Sequence, residues 1–100
     1  MVGSGMGSVA VTTDPERVES TIASLVYPSS KAALTMLAVQ YDKALPDVRV
    51  SVVDPGYTAT DLNDHRGTQT LVEGTDAIIA AVADDAVPAL FFDRFGPVPA

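Results

Sequence analysis

Val48-Arg49-Val50-Ser51-Val52-Val53-Asp54-Pro55-Gly56 is the stretch that decides the fold of this 100-residue chain. Valine dominates positions 48 to 53, the mark of a strand covered on both faces as in a parallel sheet. Asp54-Pro55-Gly56 then ends the strand with turn chemistry. Upstream, Tyr27 to Leu45 repeats apolar residues at helical spacing: Leu34, Leu37, Ala38, Tyr41 and Leu45 form one stripe, Ala32, Met36 and Val39 a second. Two stripes imply burial on more than one side. Pro28 fits the first turn of that helix, and Pro46-Asp47 breaks it. Downstream, Thr70 to Ala83 reads as a second helix on Leu71, Val72, Ala77, Ile78, Ala81 and Val82. A last short strand follows from Ala89 to Asp93, closed by Gly96-Pro97. The glycine-rich first nine residues read as the tail of a strand leading into a turn. Residues 11 to 24 read as an ordered loop with a short helical turn, since Thr12-Thr13-Asp14-Pro15-Glu16 is a cap-like and turn-like cluster. The order is strand end, helix, strand, helix, strand, without internal repeat or linker. The expected fold class is therefore α/β, part of a doubly wound, Rossmann-like parallel sheet, with residues 1–100 in a single domain.

Composition narrows the function classes. The net charge is −7, which argues against nucleic acid and against anionic membrane surfaces, because both demand a basic patch. No apolar run reaches the roughly 18 to 20 residues that span a bilayer, and Met1-Val2-Gly3 lacks the basic start of a signal peptide; a cytoplasmic protein is expected. The chain has no cysteine, so neither a disulfide nor a thiolate metal site can staple the core. Hydrophobic residues make up 47% and charged residues only 19%, more apolar surface than a small independent domain needs. Some of that surface is expected to face a partner.

The chemistry concentrates in Tyr27-Pro28-Ser29-Ser30-Lys31. A tyrosine and a lysine four residues apart lie one helical turn apart on the same face. An ammonium so placed favours the phenolate and tunes the tyrosine for proton exchange with a substrate hydroxyl or carbonyl. Taken without its context, the same spacing describes a helix that happens to carry one solvated lysine. Gly3-Ser4-Gly5-Met6-Gly7 tempts a dinucleotide-fingerprint reading, but such a loop follows a strand and opens a helix, and only two residues precede it. The Asp54 to Thr60 segment follows a strand at its carboxyl end, where open α/β sheets bind ligands; an ordinary strand-terminating turn fits it equally well. His65 and Arg66 fall in the adjoining loop, where a lone histidine is expected to be solvated. Asp84-Asp85 reads as a polar loop, and no metal site is expected.

Val2-Gly3-Ser4-Gly5-Met6-Gly7, then Tyr27-Pro28-Ser29-Ser30-Lys31-Ala32-Ala33-Leu34, then Val48 through Leu62, in that order, closely resemble the C-terminal half of a short-chain dehydrogenase/reductase. The likeness runs from about Val2 to Gly96-Pro97-Val98-Pro99. It implies an incomplete Rossmann-like sheet, because the family's N-terminal dinucleotide-binding half, with its glycine loop, its Asn-Asn-Ala-Gly segment and its catalytic asparagine, has no counterpart here. It implies an NAD- or NADP-dependent oxidoreductase acting on a small carbonyl or alcohol substrate. By resemblance Ser4 orients the substrate carbonyl, although Gly3 stands where the family usually has serine. Tyr27 is the general acid in reduction and the general base in oxidation, and Lys31 binds the ribose hydroxyls. Pro55, Gly56, Tyr57 and Thr60 line the nicotinamide and pyrophosphate side of the cofactor pocket, which Tyr27 and Lys31 complete.

Three functions are compatible with these residues. One is a truncated reductase with little or no activity alone, its cofactor not bound without the missing half. Another is a non-catalytic interaction module, since the resemblance implies homo-oligomer formation through the Tyr27–Leu45 helix. The third is a small enzyme using Tyr27 and Lys31 without a dinucleotide.

Overall fold

A computed structural model describes residues 1–83 and 89–100. It is a small α/β fold built on a three-stranded mixed sheet. Three helices, α1 (Val9–Thr13), α2 (Val26–Ala44) and α3 (Leu71–Ala83), accompany strands β1 (Val52–Val53), β2 (Phe91–Asp93) and β3 (Gly96–Pro97). β1 pairs parallel with β2, and β2 pairs antiparallel with β3. On the other side of β1, Val2 makes a parallel bridge to Val53. β1 is thus bonded along both edges. The Gly3 amide donates to the Val53 carbonyl (2.7 Å) and the Val53 amide to the Met1 carbonyl (2.9 Å), while the Val52 amide donates to the Leu90 carbonyl (2.7 Å).

Adjacent residues of a strand point to opposite faces, and β1 uses this to join two cores. Val52 packs with Ala38 of α2 and Phe91, with Leu34, Val50 and Val98 around them. Val53 packs with Ala77 of α3 and Phe92, flanked by Ile78 and Ala81. The two helices therefore cover opposite faces of the sheet, which accounts for a strand apolar at both positions.

α2 and α3 match the sequence expectation to within a residue at each end. Pro28 is the third residue of α2, where its missing N–H has no intrahelical partner to lose. Lys43 in the last turn complements the helix dipole, and the Leu45 amide closes the helix on the Tyr41 carbonyl (2.9 Å).

Other expectations are corrected. The strand expected from Val48 to Val53 is regular only at Val52–Val53, because its neighbours offer hydrogen bonds only there; Val48 is exposed. The last strand starts at Phe91 rather than Ala89, and Gly96-Pro97, expected as a terminator, is itself a strand. Of the first α2 stripe only Ala38 is buried and Leu34 half-buried; Leu37, Tyr41 and Leu45 face solvent. Similarly α3 buries Gly74 and Ala77, while Leu71, Val72 and Val82 are exposed. Residues 11–24 hold the short helical turn expected, as a 3-10 turn at Val18–Thr21, and in addition the end of α1. Asp84-Asp85 lies outside the described residues.

Both chain ends are tied into the structure. The Met1 ammonium donates to the Ser51 carbonyl (2.7 Å). At the other end, Ala10 donates its amide to the Ala100 carbonyl (3.2 Å), and the buried Ser8 hydroxyl donates to the Pro99 carbonyl (2.5 Å). No described helix is long and apolar enough to cross a membrane.

Candidate functional site

Val2 and Val53 run parallel, so the loops that follow them, Ser4–Gly7 and Asp54–Gly56, leave the sheet at the same end. The first turns of α2 meet the Ser4–Gly7 loop there. Gly7 is the point of contact: a Cβ on Gly7 would lie 2.6 Å from the Lys31 carbonyl carbon and 2.7 Å from the Ala32 nitrogen. Only glycine allows the loop to approach the helix backbone so closely. Lys31 turns its ammonium back to the sheet, donating from Nζ to the Val2 carbonyl (3.3 Å), and the same Nζ lies 5.7 Å from the centroid of the Tyr27 ring. Tyr27 and Lys31 thus share one face, as their spacing requires. Tyr27 is half exposed, and its hydroxyl makes no hydrogen bond among the described residues.

Ser4 caps the 3-10 turn Gly5–Gly7, its Oγ accepting from the Met6 amide (3.1 Å). A hydroxyl has one proton to donate and two lone pairs to accept with. Capping consumes one lone pair and leaves the Ser4 proton free for another acceptor. The Gly3-to-Gly7 run opens no long helix, so it lacks the architecture of a dinucleotide loop. Gly3 has a structural cause of its own: a Cβ there would run into Cγ1 of the buried Val52.

The opposite flank is Asp54-Pro55-Gly56-Tyr57. Gly56 adopts a φ of 75°, a left-handed conformation that glycine reaches without strain. The loop beyond it is closed at its base, where Ala59 donates to the Gln69 carbonyl (2.9 Å) and Gln69 to the Tyr57 carbonyl (3.0 Å). The Gln69 side chain also donates to the Pro55 carbonyl. Thr60 starts the 3-10 turn Asp61–Asn63; its amide donates to Asn63 Oδ1 (3.1 Å), and Asn63 Nδ2 donates to the Thr58 carbonyl (2.7 Å). Tyr57 is exposed and Thr60 half-buried. His65, as expected, is solvent-facing, with Nε2 2.9 Å from Asp61 Oδ1.

One side chain that sequence reasoning passed over joins the two flanks. Asp54 Oδ2 accepts the Gly5 amide (2.6 Å), and Oδ1 accepts the Gly56 amide (2.8 Å). The second bond is a local turn signal readable from Asp-Pro-Gly. The first crosses 49 positions of sequence, and no local pattern announces it.

Among curated proteins the chain is similar to a (+)-neomenthol dehydrogenase of Capsicum annuum, 36% identical over 74 residues. That alignment covers 68% of this chain and 22% of the relative. The chain therefore spans about a fifth of the length of the relative it matches. No protein-family model matches the chain, and no solved structure does. The likeness supports distant kinship with a dehydrogenase over part of that protein's length.

Proposed function

We propose that this chain is the proton-transfer part of an NAD(P)-dependent oxidoreductase of the short-chain dehydrogenase/reductase type, corresponding to the C-terminal part of its Rossmann-like sheet. One observation carries this reading above the others: Ser4, the Tyr27–Lys31 turn and the Asp54–Gly56 turn converge at the carboxyl end of parallel strands. The partial likeness to a dehydrogenase agrees with it.

In this reading the Lys31 ammonium, which already donates to the Val2 carbonyl, would also donate to ribose hydroxyls, and Pro55, Gly56, Tyr57 and Thr60 would line the nicotinamide and pyrophosphate side of the cofactor. A nicotinamide dinucleotide supplies the hydride when bound. Tyr27, with its hydroxyl free and exposed, gives its proton to the substrate oxygen as a carbonyl becomes an alcohol, and takes one back in the reverse direction. Ser4 donates a hydrogen bond to the same oxygen, keeping its own proton, and so orients the carbonyl.

Pyrophosphate binding normally draws on a glycine loop at a helix N-terminus, and no described residues build one. We therefore expect this chain alone to bind neither NADPH nor NADP+ measurably. Titration of NADPH by fluorescence tests this, first alone and then with a separately produced N-terminal half of a related dehydrogenase. Binding and carbonyl reduction that appear only with the added half, and that Tyr27→Phe abolishes, support the reading. Absence of both, with the two halves shown to associate, rejects it.

A second reading, a non-catalytic homo-oligomerising module, draws on α2. Met36, Leu37 and Tyr41 are each half exposed or more, an apolar face without a cover in the single chain.

A further inference from the structure

We propose that Asp54 is the positioning residue of the candidate site, a single carboxylate that fixes the Ser4 loop against the Pro55–Gly56 turn. Its value for proton transfer rests on the oxidoreductase reading above; the geometry stands independently of it.

The backbone of Asp54 is itself immobilised, since it follows buried Val53 and donates its amide to the Phe92 carbonyl (2.9 Å). From that fixed base the two carboxylate oxygens point at two different loops, 2.6 Å from the Gly5 amide and 2.8 Å from the Gly56 amide. Gly5 is buried, so its N–H requires a partner from within the protein. Ser4 is the residue directly before Gly5, and its own Oγ is held by the Met6 amide directly after it. Fixing Gly5 therefore fixes Ser4, and the same side chain fixes Gly56 on the cofactor side.

The chemistry selects aspartate. An ionised carboxylate accepts on both oxygens, whereas an amide side chain of the same shape accepts on one and presents N–H protons at the other. In Asp54→Asn the oxygen stays with the local turn at Gly56, and the NH2 group meets the Gly5 amide donor to donor. Glutamate carries the same two acceptors on a longer stem and misplaces them.

Through-hydrogen-bond couplings in the isotopically labelled chain read the arrangement directly. Both Gly5 and Gly56 amide nitrogens should correlate with the one Asp54 side-chain carboxyl carbon; loss of either correlation overturns the proposal. In Asp54→Asn the Gly5 amide should exchange with solvent roughly tenfold faster, the size expected for loss of one charge-assisted hydrogen bond. The Ser4 signals should move while those of Ala77 and Phe92, in the far core, stay in place. Unchanged Gly5 exchange, or shifts spread evenly over both cores, would overturn it. If the variant does not fold, the wild-type couplings decide. Both correlations, together with no cofactor binding or carbonyl reduction by two halves shown to associate, leave Asp54 as a loop clamp and remove the oxidoreductase reading.

Discussion

Gly7 bears on stability in a way its small size conceals. With 2.6 Å between a would-be Cβ and the Lys31 backbone, neither partner is a flexible side chain that can move aside. Gly7→Ala should therefore push α2 away from the Ser4 loop and cost about 1 to 3 kcal/mol, the range for overpacking a closed contact, measured as a lower urea midpoint. If the proposed oxidoreductase reading holds, the effect should extend to proton transfer, since Lys31 is the residue displaced. Tyr27 and Lys31 stand out in the sequence as a candidate pair because their spacing is one helical turn, whereas Ser4 is singled out only through the resemblance. Asp54 is singled out by neither, because its decisive partner lies on another loop brought near only by sheet pairing. The glycine at position 3 is equally silent in sequence, and its reason appears only when Val52 Cγ1 is placed beside it.

Among the elements, β1 divides its two residues between two helices. Val52→Ala should cost about 2 kcal/mol from lost burial and the cavity left, and amide exchange should rise first in α2, around Ala38. Val53→Ala should cost a similar amount, but with exchange rising first in α3, around Ala77. Equal loosening of both helices by either change would contradict the two-core arrangement. The 3-10 turn Val18–Thr21 carries a different dependence. There the Glu19 carboxyl accepts hydrogen bonds from the Arg17 guanidinium (3.0 and 3.2 Å), which holds its pKa below the usual carboxylate range. A carboxyl lowered in the folded state stabilises fully above its unfolded pKa of about 4.3 and loses that contribution as pH falls through the folded value. Glu19→Gln should thus flatten the acid limb of stability below about pH 4.3. The difference should stay under about 1 kcal/mol, because Arg17 remains in solvent and salt screens the pair. Helices were readable from periodicity, which is local. Strand lengths were not, since a valine run becomes a ladder only where a neighbouring strand supplies hydrogen bonds.

Over the whole molecule, the mismatch between apolar composition and available core is visible in the exposed faces of both long helices. A chain of net charge −7 repels its copies at long range, so association requires a face whose apolar contact outweighs that repulsion. If α2 provides it, sedimentation at micromolar concentration should show a dimer or larger species, more so with added salt, and Met36→Glu should disperse it. A monomer under all these conditions would leave the exposed α2 stripe without that role. The excess of apolar residues was plain from composition; which of them stay outside was not, because Leu37 and Leu34 look alike until the helix is rotated onto Val52.

The closed base of the loop after Gly56 decides where a probe can be attached. Leu62 at its tip is 97% exposed, and the hydrogen bonds at Tyr57, Ala59 and Gln69 isolate it from both cores. A single cysteine replacing Leu62, in a sequence that holds no other, gives one reactive point for a fluorophore or a solid support.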